Sequence, residues 1–170
     1  MNLFLKDFII PLFLFLNYIN ASVAQEYHVK IKHVPIEVRN AFKVKYPDIK
    51  VRQWKKTGNN LYKAEYTKRE VIFNAGGKWL ETRTAIAIIE IPLEIKNNIE
   101  KTEYRSWEIH DATKSETAEN PIFFIIEVKK GNDFYGEGKY EALMKIRQLY
   151  YGQNGTFIRM VDLTPDSNMW

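Results

Sequence analysis

Few residues of this 170-residue chain combine the types and spacing that catalysis needs. The chain contains no cysteine, which excludes a thiol nucleophile and a cysteine-ligated metal. It also has no G-x-S-x-G, H-E-x-x-H or phosphate-loop pattern. His28 and His33 lie near Glu26 in a short lead-in, which is a weak pattern for a metal site. His110 directly precedes Asp111, but adjacent strand residues point to opposite faces, so the two are a weak candidate for a catalytic pair. We therefore predict no catalytic residue, no metal and no cofactor.

Carboxylates in the predicted strands leave one enzymatic alternative open. Glu65, Glu81, Glu108 and Glu127 all fall in segments with strand character. Two carboxylates that face each other across a cleft are the equipment of a glycosidase. A hydrolase of this kind is therefore the competing hypothesis to a binding protein.

Aromatic and basic side chains are the stronger candidates for a functional surface. Tyr62 and Tyr66 share one strand face, and tryptophans occur in neighbouring strands. Exposed Trp and Tyr beside Arg and Lys are typical of interface hot spots, whereas burial under a helix is the structural alternative. The predicted binding face comprises Trp54, Tyr62, Tyr66, Trp79 and Trp107, with Arg52, Lys55 and Lys63 as its basic rim.

Charge is distributed unevenly along the chain. Residues 25–89 hold 14 Lys and Arg against 6 Asp and Glu, whereas residues 90–170 hold 10 against 14. This pattern indicates either two halves that attract each other or a basic surface for an acidic partner. Anionic lipid and glycan fit such a surface in an exported protein, and nucleic acid does not.

The N-terminus has the pattern of an export signal. Lys6 precedes an apolar run over residues 8–16, and Ser22-Val23-Ala24 ends the segment with small residues at the cleavage positions. The run is too short for a membrane span, which needs about 18 or more apolar residues. We predict a signal peptide over residues 1–24 that is cleaved after Ala24. The expected location is the periplasm, with secretion as the alternative.

Two similar segments predict where two helices begin. Val34–Val38 and Ile91–Ile95 both read apolar-Pro-apolar-Glu-apolar, 57 residues apart. Each is followed by apolar residues at helical spacing, and a proline suits the first turn of a helix. Pro47 then ends the first helix.

Alternating patterns after each helix predict about four antiparallel strands. The hairpin turns Asn74–Gly77 and Gly152–Gly155 correspond between the copies. The second copy has two longer predicted loops, a polar one over Asp111–Asn120 and another over Lys129–Gly138. Residues 140–147 fit a strand better than a helix, although both readings stay open. The predicted fold is α+β, a tandem repeat of a helix followed by a roughly four-stranded antiparallel sheet. Its divisions are a lead-in (25–33), a first repeat (34–89), a second repeat (90–163) and a tail (164–170).

These motifs resemble those of PepSY-like, β-lactamase-inhibitor-like periplasmic proteins. The matching stretches in this chain are Val34–Val38, Ala41–Pro47, Trp54, Tyr62–Tyr66 and Phe73–Glu81, with Ile91–Ile95 and Tyr151–Ile158 in the second copy. The resemblance implies a BLIP-like or PepSY-like fold whose curved sheets present a concave face, and a binding or inhibitory role. It implies no site residues.

Together these observations predict an exported, non-catalytic binding module. Its expected partner is a protein or peptide of the cell envelope, and inhibition of a hydrolase is one form that this role takes. The alternative is an envelope-surface module that contacts anionic lipid or glycan through its basic first half, with peripheral membrane contact.

Overall fold

The computed structural model describes residues 26–118, 122–131 and 144–164. The predicted signal peptide with its cleavage site at Ala24, the tail beyond residue 164 and part of the 140–147 segment lie outside these ranges. In the described part of the chain, no helix is both long and apolar enough to cross a membrane.

In the described residues, a single nine-stranded antiparallel sheet dominates the structure. Each strand pairs with the strands that precede and follow it in the chain, so the sheet order equals the sequence order. The strands are β1 (Tyr27–Val29), β2 (Gln53–Lys56), β3 (Tyr62–Tyr66), β4 (Arg69–Phe73), β5 (Trp79–Ala85), β6 (Glu108–Thr117), β7 (Phe123–Lys130), β8 (Lys145–Gly152) and β9 (Phe157–Asp162).

The predicted fold class, an α+β tandem repeat of a helix followed by a roughly four-stranded antiparallel sheet, is wrong. Strand β5 pairs with β6 from Glu81↔Thr117 to Ala85↔Thr113, so the strands of the two halves form one continuous sheet. Alternation along a strand shows which residues share a face but not which strand edges meet. Pairing β5 with β6 removes two exposed edges, which explains why the continuous sheet is favoured.

Two α-helices are present in the described residues, α1 (Ile36–Lys45) and α2 (Leu93–Glu100). Both were expected, and both begin two residues later than predicted because Pro35 and Pro92 occupy the capping position before the first turn. Short 3-10 helices precede α1 at Ile31–His33 and α2 at Ile88–Glu90, and a third follows α2 at Glu103–Ser106.

Both helices pack against the same face of the sheet. Helix α1 buries Val38 and Phe42 against β2, β3 and β4, and α2 buries Ile95 and Ile99 against β6, β7 and β8. Thr82 lies opposite Val71 of the first core and also opposite Glu116, which shares a face of β6 with Ala112 of the second core. The two cores therefore lie on one side of the sheet. The other face of the sheet carries no helix in the described residues.

Of two predicted local features, one differs in the structure and one agrees with it. The segment from Asp111 was expected to be a polar loop, but β6 runs from Glu108 to Thr117. Its polar side chains are tolerated because many of them point to the helix-free face. The strand over Lys145–Gly152 agrees with the strand interpretation for the part of 140–147 that is described.

Candidate functional site

The predicted aromatic face lies in the core under α1. Trp54, Tyr62 and Tyr66 are each less than 10% exposed. The Phe42 ring of α1 lies 5.7 Å from the Trp54 ring and 5.8 Å from the Tyr66 ring, both measured between centroids. These aromatic residues hold the helix on the sheet, so they are not available to a partner as an exposed patch.

The other two predicted tryptophans are also packing residues. Trp79 is half-buried, its Nε1 donates to Thr82 Oγ1 at 2.9 Å, and Lys45 Nζ lies 3.9 Å from its ring centroid. Trp107 packs against the second core, with its ring 5.2 Å from that of Tyr104. The five aromatic residues therefore divide between two cores and form no common surface.

The predicted basic residues lie on the opposite, helix-free face. Lys63 alternates with Tyr62, and Lys55 with Trp54, so each points away from the helix. Lys55 Nζ lies 2.5 Å from Glu65 Oε1, and Arg52 Nη2 lies 3.3 Å from Glu65 Oε2. Lys63 pairs with Glu26 and lies 3.7 Å from Glu70. The basic rim is thus neutralised by carboxylates.

Glu65 is the centre of this network. Burial opposes its ionisation, but the hydrogen bond and charge of Lys55 outweigh that cost and hold the pKa of Glu65 below its ordinary value. Gln53 Nε2 adds a hydrogen bond of 2.6 Å to the same carboxylate. The pKa of Lys55 is raised in turn, chiefly by its hydrogen bond to Glu65.

A cleft of about 470 Å³ occupies the helix-free face. Its walls include Glu65 from β3 and Tyr150 from β8, which are five strands apart in the sheet, so the sheet must curve around it. The basic residues that line it are Arg52, Lys68, Arg69 and Arg83, and the acidic residues are Glu65, Glu70, Asp111 and Glu127. We call this feature the sheet cleft.

Arg83 lies in the middle of the sheet cleft. Its guanidinium binds Glu81 through two hydrogen bonds of 2.8 and 3.0 Å, and Ser115 Oγ donates to the same carboxylate at 2.5 Å. Burial opposes the charge of Arg83, but Glu81 holds its pKa above the usual range. Arg83 is therefore a fixed positive charge on the cleft floor.

An aromatic stack borders the sheet cleft on β7, β8 and β9. The Phe123 and Tyr150 rings stack with centroids 6.3 Å apart, and the Arg159 guanidinium lies 4.0 Å from the Tyr150 centroid. Burial raises the pKa of Tyr150. Phe123 and Tyr150 are only 7% and 8% exposed, so the stack mainly packs these strands together, and Tyr150 is its member that lines the sheet cleft.

Most of the cleft carboxylates form ion pairs with lysine side chains. Glu65, Glu70 and Glu127 each lie within 4 Å of a lysine nitrogen. Asp111 lies opposite Glu127 in the β6–β7 register and has no ion-pair partner among the described residues. A glycosidase acid needs a raised pKa, whereas that of Glu65 is lowered.

Within the described ranges, no group of three His, Asp or Glu side chains is placed to hold a metal ion. His28, His33 and His110 are all exposed. His28 lies opposite Lys55 in the β1–β2 register, and His110 lies at the β6 bulge. The structure brings these histidines into no common site.

Of the cleft residues, the sequence predicted Arg52 as a binding residue and named Glu65 and Glu127 as carboxylates of the enzymatic alternative, but it did not predict the cleft. Arg83, Asp111 and Tyr150 come from three strands, and only the register brings them to one face. The alternation of Glu81 and Arg83 with Thr82 signals a polar face on β5. No local pattern, however, indicates that β5 pairs with β6.

Solved structures with the same fold are known. A DUF2874 family protein from Bacteroides uniformis is 21% identical, with a TM-score of 0.63, over 79% of this chain and 93% of that one. A BLIP-like protein from Bacteroides fragilis is 24% identical, with a TM-score of 0.61, over 79% and 90%. A candidate periplasmic protein from Bacteroides eggerthii is 20% identical, with a TM-score of 0.63, over 80% and 94%.

Comparisons of the sequence itself identified no relative. No family model matches the chain, and no curated protein is significantly similar to it. The structural matches therefore show the fold, which is shared with a BLIP-like protein, and the PepSY-like part of the resemblance is not confirmed. The chain is similar in fold to DUF2874 family and BLIP-like proteins of Bacteroides.

Proposed function

We propose that this protein is an exported, non-catalytic module that binds a protein or peptide of the periplasm in the sheet cleft. The observation that carries the proposal is the helix-free face itself, which offers a cleft of about 470 Å³ whose walls carry both basic and acidic side chains. The export pattern of the N-terminus and the periplasmic description of a protein with the same fold support the location.

Charge and shape favour a polypeptide as the ligand. The sheet cleft presents four basic and four acidic side chains close together, so it matches a partner of mixed charge better than a uniformly anionic one. Tyr150 and Ile125 also line the cleft, but each is only 8% exposed, so the accessible surface of the cleft is mainly polar and charged. Peptide and protein surfaces combine these properties.

The alternative of an anionic lipid or glycan ligand has less support. It depended on free basic residues in the first half of the chain. Lys55 and Lys63 are instead engaged by Glu26, Glu65 and Glu70, so their charges are offset within the protein.

Site-specific photocrosslinking in the periplasm tests the proposal. A benzoylphenylalanine at Asp111 or Lys68, both exposed in the sheet cleft, is expected to capture a discrete protein that mass spectrometry identifies. The control position is Val44 on α1, which is 84% exposed on the helix side. The proposal fails if the cleft positions capture nothing, or if Val44 captures the same protein equally well.

A further inference from the structure

Most charged side chains around the sheet cleft are engaged within the protein itself. An ion pair within 4 Å holds each member of one group, which comprises Arg52, Glu65, Glu70, Arg83 and Glu127. Arg69 lies opposite Tyr66 in the β3–β4 register, so its side chain shares the helix-covered face with that tyrosine. The charges of these residues are therefore largely offset, or directed elsewhere, before a ligand arrives.

Lys68 and Asp111 are the exceptions among the described charged residues that line the cleft. Both are exposed, and neither side chain has a hydrogen bond or an ion pair within the described ranges. Their charges are opposite, yet they form no ion pair with each other. The sheet cleft thus presents one free positive and one free negative charge.

The two free charges lie on opposite walls of the sheet cleft. Lys68 belongs to the turn between β3 and β4, and its carbonyl accepts the Ala85 N–H of β5 at 2.9 Å. Ala85 lies opposite Thr113 of β6, which follows Asp111 by two positions. With neighbouring strands about 4.8 Å apart and a rise of about 3.4 Å per residue, the two backbones are separated by roughly 12 Å along the sheet. The floor between them includes the small side chains of Ala85 and Thr113, which leave room for a ligand.

We propose that Lys68 and Asp111 are the specificity-determining residues of the sheet cleft. Their ligand is a polypeptide segment with a carboxylate and a cationic side chain about three or four residues of extended chain apart. The carboxylate faces Lys68, and the lysine or arginine of the ligand faces Asp111. This assignment rests on the proposed function of the cleft as a polypeptide site.

The other charges of the cleft disfavour ligands of a single sign. Asp111 lies directly opposite Glu127 in the β6–β7 register, and Lys129 forms the ion pair with Glu127 alone, so an anion beside Asp111 is repelled. A cation beside Lys68 is repelled as well, and the fixed charge of Arg83 on β5 adds to this effect. A segment with one charge of each sign satisfies both walls in only one orientation. The arrangement therefore also sets the direction in which the ligand chain binds.

Selection from a peptide library tests the assignment without altering the protein. The probe is a library of random peptides, displayed between constant flanking segments so that neither terminus is free, and selected on the purified full chain. Enriched peptides should carry an acidic and a basic residue about three or four positions apart. A synthetic peptide of the enriched sequence should bind at least about tenfold more tightly than a matched peptide in which either charged residue is replaced by glutamine.

Inverting one charge of the cleft should redirect the selection. On Asp111→Lys, the basic position of the enriched peptides should give way to an acidic residue, and on Lys68→Glu the acidic position should give way to a basic one. Lys43→Glu and Glu100→Lys make the same changes of charge at exposed positions of α1 and α2. These two controls should enrich the same peptides as the unmodified protein.

Two kinds of failure are distinguishable in this experiment. If peptides are enriched without a pair of opposite charges, or with a pair that neither inversion changes, the roles of Lys68 and Asp111 are overturned while peptide binding by the protein stands. If the unmodified chain enriches no peptide, the polypeptide site itself is contradicted, and the assignment falls with it.

Discussion

Glu65 shows how a charged residue is accommodated inside this sheet. Its side chain is 8% exposed, yet it accepts hydrogen bonds from Gln53 and Arg52 and an ion pair from Lys55. The exposed Arg52 contributes little to stability because water screens its charge. Lys55 and Gln53 therefore provide most of the compensation for burying the carboxylate.

We expect Glu65→Gln to lower the free energy of unfolding at about pH 6 by about 2 kcal/mol, since it leaves Lys55 without its nearest carboxylate. The pKa of Glu65 is lower in the folded state, so its ionisation stabilises the fold above the unfolded pKa of about 4.3. That contribution is lost as the pH falls through the folded pKa. The difference between wild type and variant should therefore shrink towards about pH 3. Urea unfolding at both pH values measures it.

Glu116→Gln is the matched control, since Glu116 is 46% exposed and its ion pair with Lys114 is at the surface. Its effect should stay below about 0.5 kcal/mol at either pH. A Glu65 variant that matched this control would show that the network around Glu65 contributes no stability.

Site prediction reached its limit at the scale of single residues. Alternation correctly separates Lys55 and Lys63 from Trp54 and Tyr62. It does not indicate which of the two faces the helix covers, because both contain residues that a helix or a partner could contact. The aromatic residues lie on the face that the helix covers, and the face without a helix carries the charged residues.

Each helix is held at its first turn by a glycine of a hairpin. Gly77 and Gly155 both have positive φ, of 81° and 80°. A Cβ on Gly77 would lie 2.7 Å from the Glu37 carbonyl oxygen of α1, and one on Gly155 would lie 2.8 Å from Glu94 Cβ of α2. The absence of a side chain lets each turn contact the helix backbone.

We expect Gly77→Ala to lower the free energy of unfolding by about 2 kcal/mol or more. About 1–2 kcal/mol is the cost of positive φ in a residue with a Cβ, and the clash with Glu37 adds to it. Thermal and urea unfolding would measure the loss. Gly76→Ala is the adjacent control, because its Cβ would meet only Asn74 Oδ1, at 3.5 Å, and its φ is not positive. Equal stability of the two variants would contradict the role assigned to Gly77.

The elements with strong local signals were predicted best. Prolines and helical periodicity located α1 and α2, and glycine-containing turns located two hairpins. Strand β6 was assigned in part to a loop because Asp111 to Thr117 is rich in polar residues. Such a strand is stable because Ala112 joins the second core, while Thr113 lines the sheet cleft.

At the scale of the whole molecule, β5 and β6 join two helix-covered cores into one sheet. Ser115 is fully buried at this junction, and its hydroxyl donates to Glu81 across it. Local signals could not predict the junction, because strand pairing depends on edges that meet only after folding. We expect the junction to couple the unfolding of the two cores.

Two variants that each retain one tryptophan test this coupling. Trp54 reports the first core and Trp107 the second. In each variant the other tryptophans are replaced by phenylalanine, so each shows a single fluorescence transition. If the two cores unfold together, each variant's fluorescence transition should coincide with the loss of its β-sheet signal in circular dichroism at the same urea concentration. Adding Ser115→Pro, which removes a backbone donor from β6, should separate them. Separate transitions without that substitution would show that the halves unfold independently.

The sequential order of the sheet has a consequence for how the chain reaches its folded state. Every strand finds its partners among its immediate neighbours along the chain, even where a helix intervenes. The connections between most paired strands are short, so little loop-closure entropy is lost when each of those pairs forms. A sheet of nine strands can thus assemble by adding one hairpin after another, without a covalent cross-link to guide it.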